Sequence, residues 1–358
     1  MDKLLKRTTL ELFREILNDP DRKPLFKIIY EPLYLLFTYR ELPVHYFSRY
    51  LFKKRISNIE DYLPNKFLGK IPSLFNDRKV TQVLDNKLYF NLFYSQFNIS
   101  LPKIIMYNHK KLFVVGDKST EVNVFGDFLD LLEEIFKKYP SWDSVIVKKT
   151  YASSFGHNNY KILRNQVKSD PLIIKDIFTE VINSEFLFQE TIKQHPDLNK
   201  LTSSSLNTIR FDTFIDRDGK IDIISAYIRM SLNNNHVDNI SSGGCKVGIS
   251  LQSGKLKKFG YSMIRTCDLK VLIKHPKTET TFEDFTIPFF SRAKELVLKA
   301  ATCMPELRLV GWDVAIGESG PVLIEGNSDY DISGNDLADE GYRANIIFRK
   351  VLNEMKYS

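Results

Sequence analysis

Leu309–Asn327, LVGWDVAIGESGPVLIEGN, is the stretch on which the fold turns. Two apolar runs flank Gly-Glu-Ser-Gly-Pro, the composition of a β-hairpin. A five-residue loop at 317–321 would pair Ile316 with Val322, and therefore Asp313 with Glu325. The side-chain period of two then puts Asp313, Glu325 and Asn327 on one face. Val310, Trp312, Val314, Ile316, Val322 and Ile324 fall on the other, a core face. Two carboxylates opposite one another repel, and burial raises the cost, so the arrangement asks for a cation. Oxygen-only donors suit Mg²⁺, which keeps waters and phosphates as its other ligands. An ordinary solvated hairpin face is the plain alternative, and Asn327, two residues after Glu325, favours the metal. Gly311 and Gly326 would leave room for a ligand's approach.

Outward from the hairpin, the chain alternates helices and paired strands. Asn207–Ile215 with Lys220–Arg229, and Lys246–Leu251 with Leu256–Ser262, read as further hairpins, each across a turn containing Gly. A helix is expected from about Pro288 to Ala301 and another near Gly341–Met355. Upstream, 81–99 and Val124–Tyr139 read as helices, and Lys103–Tyr107, Ser144–Lys148, Asn159–Leu163 and Phe186–Ile192 as strands. Residues 1–75 read as short helices broken by prolines. The pattern is α+β with antiparallel sheets.

The Val145-Ile146-Val147-Lys148 strand runs into Lys149-Thr150-Tyr151-Ala152-Ser153-Ser154-Phe155-Gly156. Small hydroxyl residues and a glycine beside a cation make a loop whose free N–H groups can cover phosphates. It lacks the second glycine of a Walker A loop.

The chain has 358 residues with a formal net charge of +7. Its 43% hydrophobic content excludes disorder, and the length allows two or three cores. The greasiest run, Leu25–Tyr39, carries Lys27 and Glu31, which argues against a spanning helix. No secretory signal is read at the N-terminus. Cys245, Cys267 and Cys303 are scattered, as free thiols in a reducing cytoplasm would be, and no Cys or His spacing suits zinc. Residues 1–55 hold twelve Lys/Arg against seven acids, +5, interleaved with aromatics. Such a segment suits an anionic glycan, a membrane surface or nucleic acid. No nucleic-acid motif supports the last. The plain alternative is a helical subdomain with its aromatics turned inward.

Taken in order, Asn86-Lys87, the VIVK strand and its loop, FLFQETI (186–192), SLNTIR (205–210), AYIR (226–229), VDN (237–239) followed by SSGG (241–244), and GWDVAI…GPVLIEGN resemble the ATP-grasp superfamily. The sugar-transfer-associated ATP-grasp family, related to α-L-glutamate ligases, is the nearest match, over roughly residues 80–345. The resemblance implies two α+β subdomains gripping ATP, with an N-terminal mainly helical extension. It divides the chain into a helical segment (1–78), a first lobe (79–142), a lid with the phosphate loop (143–194) and a C-terminal lobe with the metal hairpin (195–358).

By the same resemblance, Lys87 and Lys148 contact ATP phosphates, and Ser153, Ser154 and Gly156 form the loop over them. Gln189, Glu190 and the backbone at Ile192 lie at the adenine hinge. Asp313, Glu325 and Asn327 hold two Mg²⁺, and Arg210 or Arg229 stabilises the transferring phosphoryl group. Many relatives carry proline where Lys149 stands, so Lys148 and Lys149 both remain candidates to face the phosphates. Asn207, Asp238, Asn239, Gly243 and Gly244 are candidates for the acceptor side, with Ser241–Gly244 either an anion nest or a plain loop.

The expected activity is amide formation through an acyl phosphate, joining an amino acid or other amine to a carboxylate on a sugar or surface-polysaccharide precursor in the cytoplasm. A ligase for free small molecules, a kinase on the same fold and a degenerate ATP-binding module are the alternatives. Peripheral membrane or glycolipid contact would run through residues 1–55.

Overall fold

A computed structural model describes residues 9–151, 159–232, 244–262 and 271–355. Four helices open the chain: α1 (Thr9–Asn18), α2 (Leu25–Tyr39), α3 (Val44–Ser48) and α4 (Asn65–Phe75). Two short ones, α5 (Gln82–Asp85) and α6 (Lys87–Tyr94), lead to the first sheet. The Asn86 side chain accepts from the N–H groups of Leu88 and Tyr89, which starts α6 at Lys87.

The first sheet takes β1 (Ile104–His109), β2 (Leu112–Val115), β3 (Lys118–Glu121), β4 (Ser144–Lys149), β5 (Asn159–Leu163) and β6 (Glu185–Glu190). Its order is β3-β2-β1-β6-β4-β5. Between its strands run α7 (Phe125–Lys138), α8 (Arg164–Ser169) and α9 (Leu172–Val181). Phe128, Leu132, Ile135 and Phe136 recur at helical spacing along α7 and meet Val145, Val147, Ile162, Phe186 and Phe188 from the strands. The expected boundary at 142/143 falls inside this unit, because β1 pairs with β6 and one core serves strands from both sides of it.

After α10 (Pro196–Asn199) comes a second, seven-stranded antiparallel sheet. Its strands are β7 (Thr208–Ile215), β8 (Ile221–Ser231), β9 (Gly244–Ile249), β10 (Leu256–Ser262), β11 (Val271–Leu272), β12 (Leu309–Gly317) and β13 (Gly320–Asn327). The order β11-β10-β9-β8-β7-β12-β13 brings the last hairpin back beside β7. One face packs Phe211, Ile228, Val247, Trp312 and Val314 against α11 (Phe290–Thr302) and against Phe90 and Tyr94 of α6. The other face carries Arg210, Asp212, Arg229 and Asp313. The chain closes with α12 (Ser333–Ala338) and α13 (Ile346–Met355).

The hairpin differs from its expected register in one respect. Its turn is tight, pairing Gly317 with Gly320 and Ile316 with Pro321, so Val322 faces Ala315. A one-residue shift between Asp313 and Val314 restores Asp313 opposite Glu325. The shift also changes the inward set on β13. Leu323 is fully buried in the core, whereas Val322 and Ile324, expected there, are only half-buried.

The N-terminal helices gather a core of their own, Ile16, Ile28, Leu35, Ile56, Ile59 and Tyr62 among it, and close it against the rest of the protein. Tyr46, Tyr50, Leu51 and Phe52 cluster with Tyr261 and Leu337, and Leu68, Ile71 and Phe75 of α4 with Phe214, Leu309, Tyr342 and Phe348. Asn76 bridges the carbonyls of Leu309 and Ser328, both at 2.7 Å. Three of the twelve cations of residues 1–55 are used in internal ion pairs. Lys23 pairs with Glu31, Arg49 with Asp336 and Lys53 with Asp19, all buried or nearly so. Most of the interleaved aromatics do turn inward; the outer side of α2 is the exception. No helix among the described residues is long and apolar enough to cross a membrane.

Candidate active site

The site forms where the end of β4, the start of α6 and the β12–β13 hairpin meet. Lys87 N–H donates to the carbonyl of Thr150 at 2.8 Å, fixing the start of α6 two residues past Lys148. The Lys87 Nζ then lies 3.7 Å from Glu325 Oε2. Glu325 is within hydrogen-bond reach of Asp313, its register partner.

Asp313 is 1% exposed and holds both arginines. Arg210 donates from Nε to Oδ1 at 2.5 Å and from Nη2 to Oδ2 at 3.0 Å, a bidentate pair on adjacent strands. Arg229 Nη2 reaches Oδ2 at 2.7 Å while its guanidinium also donates to Thr208 Oγ1. Burial alone would push the Asp313 carboxyl up. The charges of Arg210 and Arg229 overcome it and hold the group well below the usual carboxylate range.

Two carboxylates from Asp313 and Glu325 and an amide oxygen from Asn327 thus share one end of the hairpin. The donor set fits a hard cation such as Mg²⁺. Asn327 Nδ2 donates to the Gly311 carbonyl at 3.3 Å, which turns its oxygen the other way. Among the described residues no cluster of three or more His, Cys, Asp and Glu side chains suits a metal, so the set rests on the amide as its third donor. Gly311 and Gly326 do not open space for a ligand. A Cβ at Gly326 would meet Leu84 and Trp312 at 2.9 Å, and one at Gly311 would meet Tyr330 at 3.1 Å. Both glycines are filled against by protein.

Strand alternation separates the two lysines of β4. Val145 and Val147 point into the helix-covered core, and Lys149 continues that side. Lys148 continues the side of Ile146, where its register partner Leu187 is fully buried outside the helix-covered core. Gln189, paired with Ile146, shares that side and is 5% exposed. Glu190 N–H donates to the Lys103 carbonyl at 3.0 Å and its Oε1 accepts from Lys103 N–H at 2.9 Å, so it anchors the start of β1. Ile192 is half-buried where the chain crosses to the second sheet, just before His195 N–H donates to the Ile316 carbonyl at 2.9 Å.

Asn207 is not brought to this cluster. It is fully buried, and its amide nitrogen donates to the carbonyls of Leu198 and Thr202. Gly244 starts β9 opposite Ser231. Ser153, Ser154, Gly156, Asp238, Asn239 and Gly243 lie outside the described residues.

Two residues on the arginine face were not singled out from the sequence. Lys246 of β9 pairs in register with Arg229, and burial lowers its ammonium to about 8. Its signal was the alternation Cys245-Lys246-Val247, with inward neighbours on both sides. Asp212, two residues after Arg210, is 0% exposed and accepts from Tyr342 Oη at 2.6 Å, from Ser225 Oγ at 3.3 Å and from Asn335. Burial raises it to about 6.

Among solved structures, the chain is similar to a D-cycloserine synthetase, at 11% identity and TM-score 0.45 over 81% of this chain and 78% of that one. It is also similar to D-alanyl-alanine synthetase A from Vibrio cholerae, at 12% identity and TM-score 0.43 over 76% of this chain. N5-carboxyaminoimidazole synthetase from Staphylococcus aureus matches at 10% identity and TM-score 0.44, over 81% of this chain and 58% of that one. The chain spans 65% of the Vibrio synthetase. No protein of curated function matches it in sequence. The model of the sugar-transfer-associated ATP-grasp family matches residues 70–346, and the chain belongs to that family.

Proposed function

We propose that the protein is an ATP-dependent carboxylate–amine ligase. A carboxylate oxygen of the substrate attacks the γ-phosphorus of ATP, giving an acyl phosphate and ADP. An amine nitrogen then attacks the acyl carbon, phosphate leaves and the amine proton passes to solvent. The observation that carries this reading is the convergence of Lys87, Arg210 and Arg229 on the Asp313–Glu325 carboxylate pair at the end of β4.

Phosphoryl transfer is mainly positioning and charge stabilisation, and among the described residues this cluster has no nucleophile–base pair to offer instead. Lys87 and Lys148 suit the β- and γ-phosphates, with the 152–158 loop over them, and Gln189, Glu190 and Ile192 suit the adenine edge. Arg210 and Arg229 suit the transferring group, their planar forks already held at the site by Asp313. Asp313, Glu325 and Asn327 would hold Mg²⁺, two ions by family resemblance, which neutralises the phosphate charge when bound. Lys246, beside Arg229, suits the carboxylate of the incoming substrate.

The acceptor class is a carboxylate-bearing sugar or surface-polysaccharide precursor and the amine an amino acid or amino alcohol, with the reaction in the cytoplasm. The family's association with sugar transfer supports the glycan side. The test is ADP release across uronic acids paired with amino acids, with mass spectrometry of the product. An amide with stoichiometric ADP is expected, and phosphorylated product without amide would make the protein a kinase. Glu325→Gln should lower ADP release by at least about a hundredfold; full activity in that variant would remove Glu325 from the metal set.

A further inference from the structure

The apolar side of α2 faces out of the molecule. Phe26, Ile29, Tyr30, Leu33 and Phe37 are 66%, 64%, 63%, 48% and 79% exposed. At 3.6 residues per turn they fall within an arc of about 100°. That arc lies directly opposite Ile28, Glu31 and Leu35, the residues that anchor the helix to the protein. Leu42, just beyond the helix, is 71% exposed as well. A shallow groove runs between Tyr30, Leu33, Tyr34 and Phe37. Contiguous exposed apolar surface of this kind marks a docking surface.

Charge distinguishes among occupants. The sole acid of α2, Glu31, is turned inward, accepting from Lys23 Nζ at 2.7 Å and Tyr46 Oη at 2.8 Å. Lys27 on the helix and Arg40 at its C-cap are exposed beside the stripe, while one exposed acid, Glu60, is engaged by the Tyr34 hydroxyl at its edge. Across residues 9–75 the exposed cations, Lys27 and Arg40 with Arg14, Lys54, Lys66 and Lys70, are six, against the three exposed acids Glu11, Asp21 and Glu60. Large apolar and tyrosine side chains on a segment whose exposed cations outnumber its exposed acids two to one match the interface of an anionic bilayer.

We propose that the outer face of α2 docks the protein on an anionic phospholipid surface, lying in the headgroup layer without spanning it. This site is independent of the ATP cluster and of the ligase reading.

The test is co-sedimentation of the full chain with vesicles of phosphatidylcholine alone or mixed with phosphatidylglycerol. The bound fraction should rise at least about tenfold with the anionic lipid. Phe26→Ser with Ile29→Ser and Phe37→Ser should abolish binding to both, and Lys27→Glu with Arg40→Glu should abolish only the anionic preference. These side chains are exposed, and an unchanged melting temperature would show that each variant folds. Protein that stays in the supernatant with both vesicles overturns the proposal. So does a dimer in sedimentation velocity that the serine variant dissociates without any lipid binding, since a second copy would then cover the stripe.

Discussion

Asp212 and Asp313 are two buried aspartates on neighbouring strands of one sheet, and they are held in opposite electrostatic states. Asp313 is 1% exposed and sits between two guanidinium groups, which keep its carboxyl ionised far below the ordinary range. Asp212 is 0% exposed and sits among neutral donors, the hydroxyls of Tyr342 and Ser225 and the amide of Asn335, and burial lifts it to about 6. Arg210 lies between them, its side chain committed to Asp313 and stacked over the Tyr330 ring at 5.4 Å. The difference is one of assignment. Under the proposed function the ionised aspartate serves the phosphate chemistry, whereas the protonatable one ties the returning C-terminal segment to the sheet.

The largest effect should come from breaking the ionised site. Asp313→Asn removes the counter-charge of two buried arginines and, with it, a candidate metal ligand. Uncompensated buried charge costs about 3–5 kcal/mol, read as a lower urea midpoint. ADP release should fall by about a thousandfold. The acid limb should change as well. Because the folded value of Asp313 lies below the unfolded one, its stabilisation is present above about pH 4 and is lost as pH falls further. The variant should lose that part of the acid transition, and an unaltered acid limb would mean that Asp313 is not ionised between the arginines.

Asp212→Asn tests the other half, with a smaller effect and the opposite sign. A carboxyl raised to about 6 binds its proton more tightly in the folded state, so folding stability falls as pH rises from about 4 to 6. That fall amounts to up to about 3 kcal/mol from this group. Asp336, also raised to about 6 by burial and paired with Arg49, titrates in the same window. Denaturant unfolding between pH 4.5 and 7 should therefore show a shallower decline in the variant, with the Asp336 part remaining. An identical slope would place the titration elsewhere.

These two aspartates were not equally legible in the sequence. Asp313 stood out because the 309–327 hairpin has strict alternation, a turn and a second carboxylate at a countable distance. The resemblance singles out Arg210 and Arg229, but not as partners of Asp313, since pairing Asp313 with Arg210 requires β12 to lie beside β7, a neighbour set by tertiary topology across 103 residues. Asp212 lies inside the strand run TIRFDTFI, where nothing local singles it out, and every residue of that strand is buried. The bulge that moves Leu323 inward is similarly local and leaves the apolar composition unchanged. β3, Lys118–Glu121, is exposed along its whole length and so carries no alternation to read. In α2 the reading inverted: Glu31 is inside, and Phe26 and Phe37 are outside.

Tyr342→Phe gives the smallest and most discriminating effect. Its hydroxyl donates to Asp212 Oδ2 at 2.6 Å and contacts Ser225 Oγ at 2.7 Å, without touching the arginine pair. Among the groups that favour the ionised form of Asp212, this hydrogen bond is the foremost. Its removal should raise Asp212 further and cost about 1–2 kcal/mol at pH 7, where the carboxylate is charged. Near pH 4.5 the carboxyl is already protonated and the cost should shrink. The pH dependence of the mutational effect, measured by urea titration, thus reports the charge on Asp212 itself. A cost constant across the range would make Tyr342 a packing residue. A parallel loss of ATP affinity would join the two aspartates into one electrostatic unit and dissolve the division of labour between them.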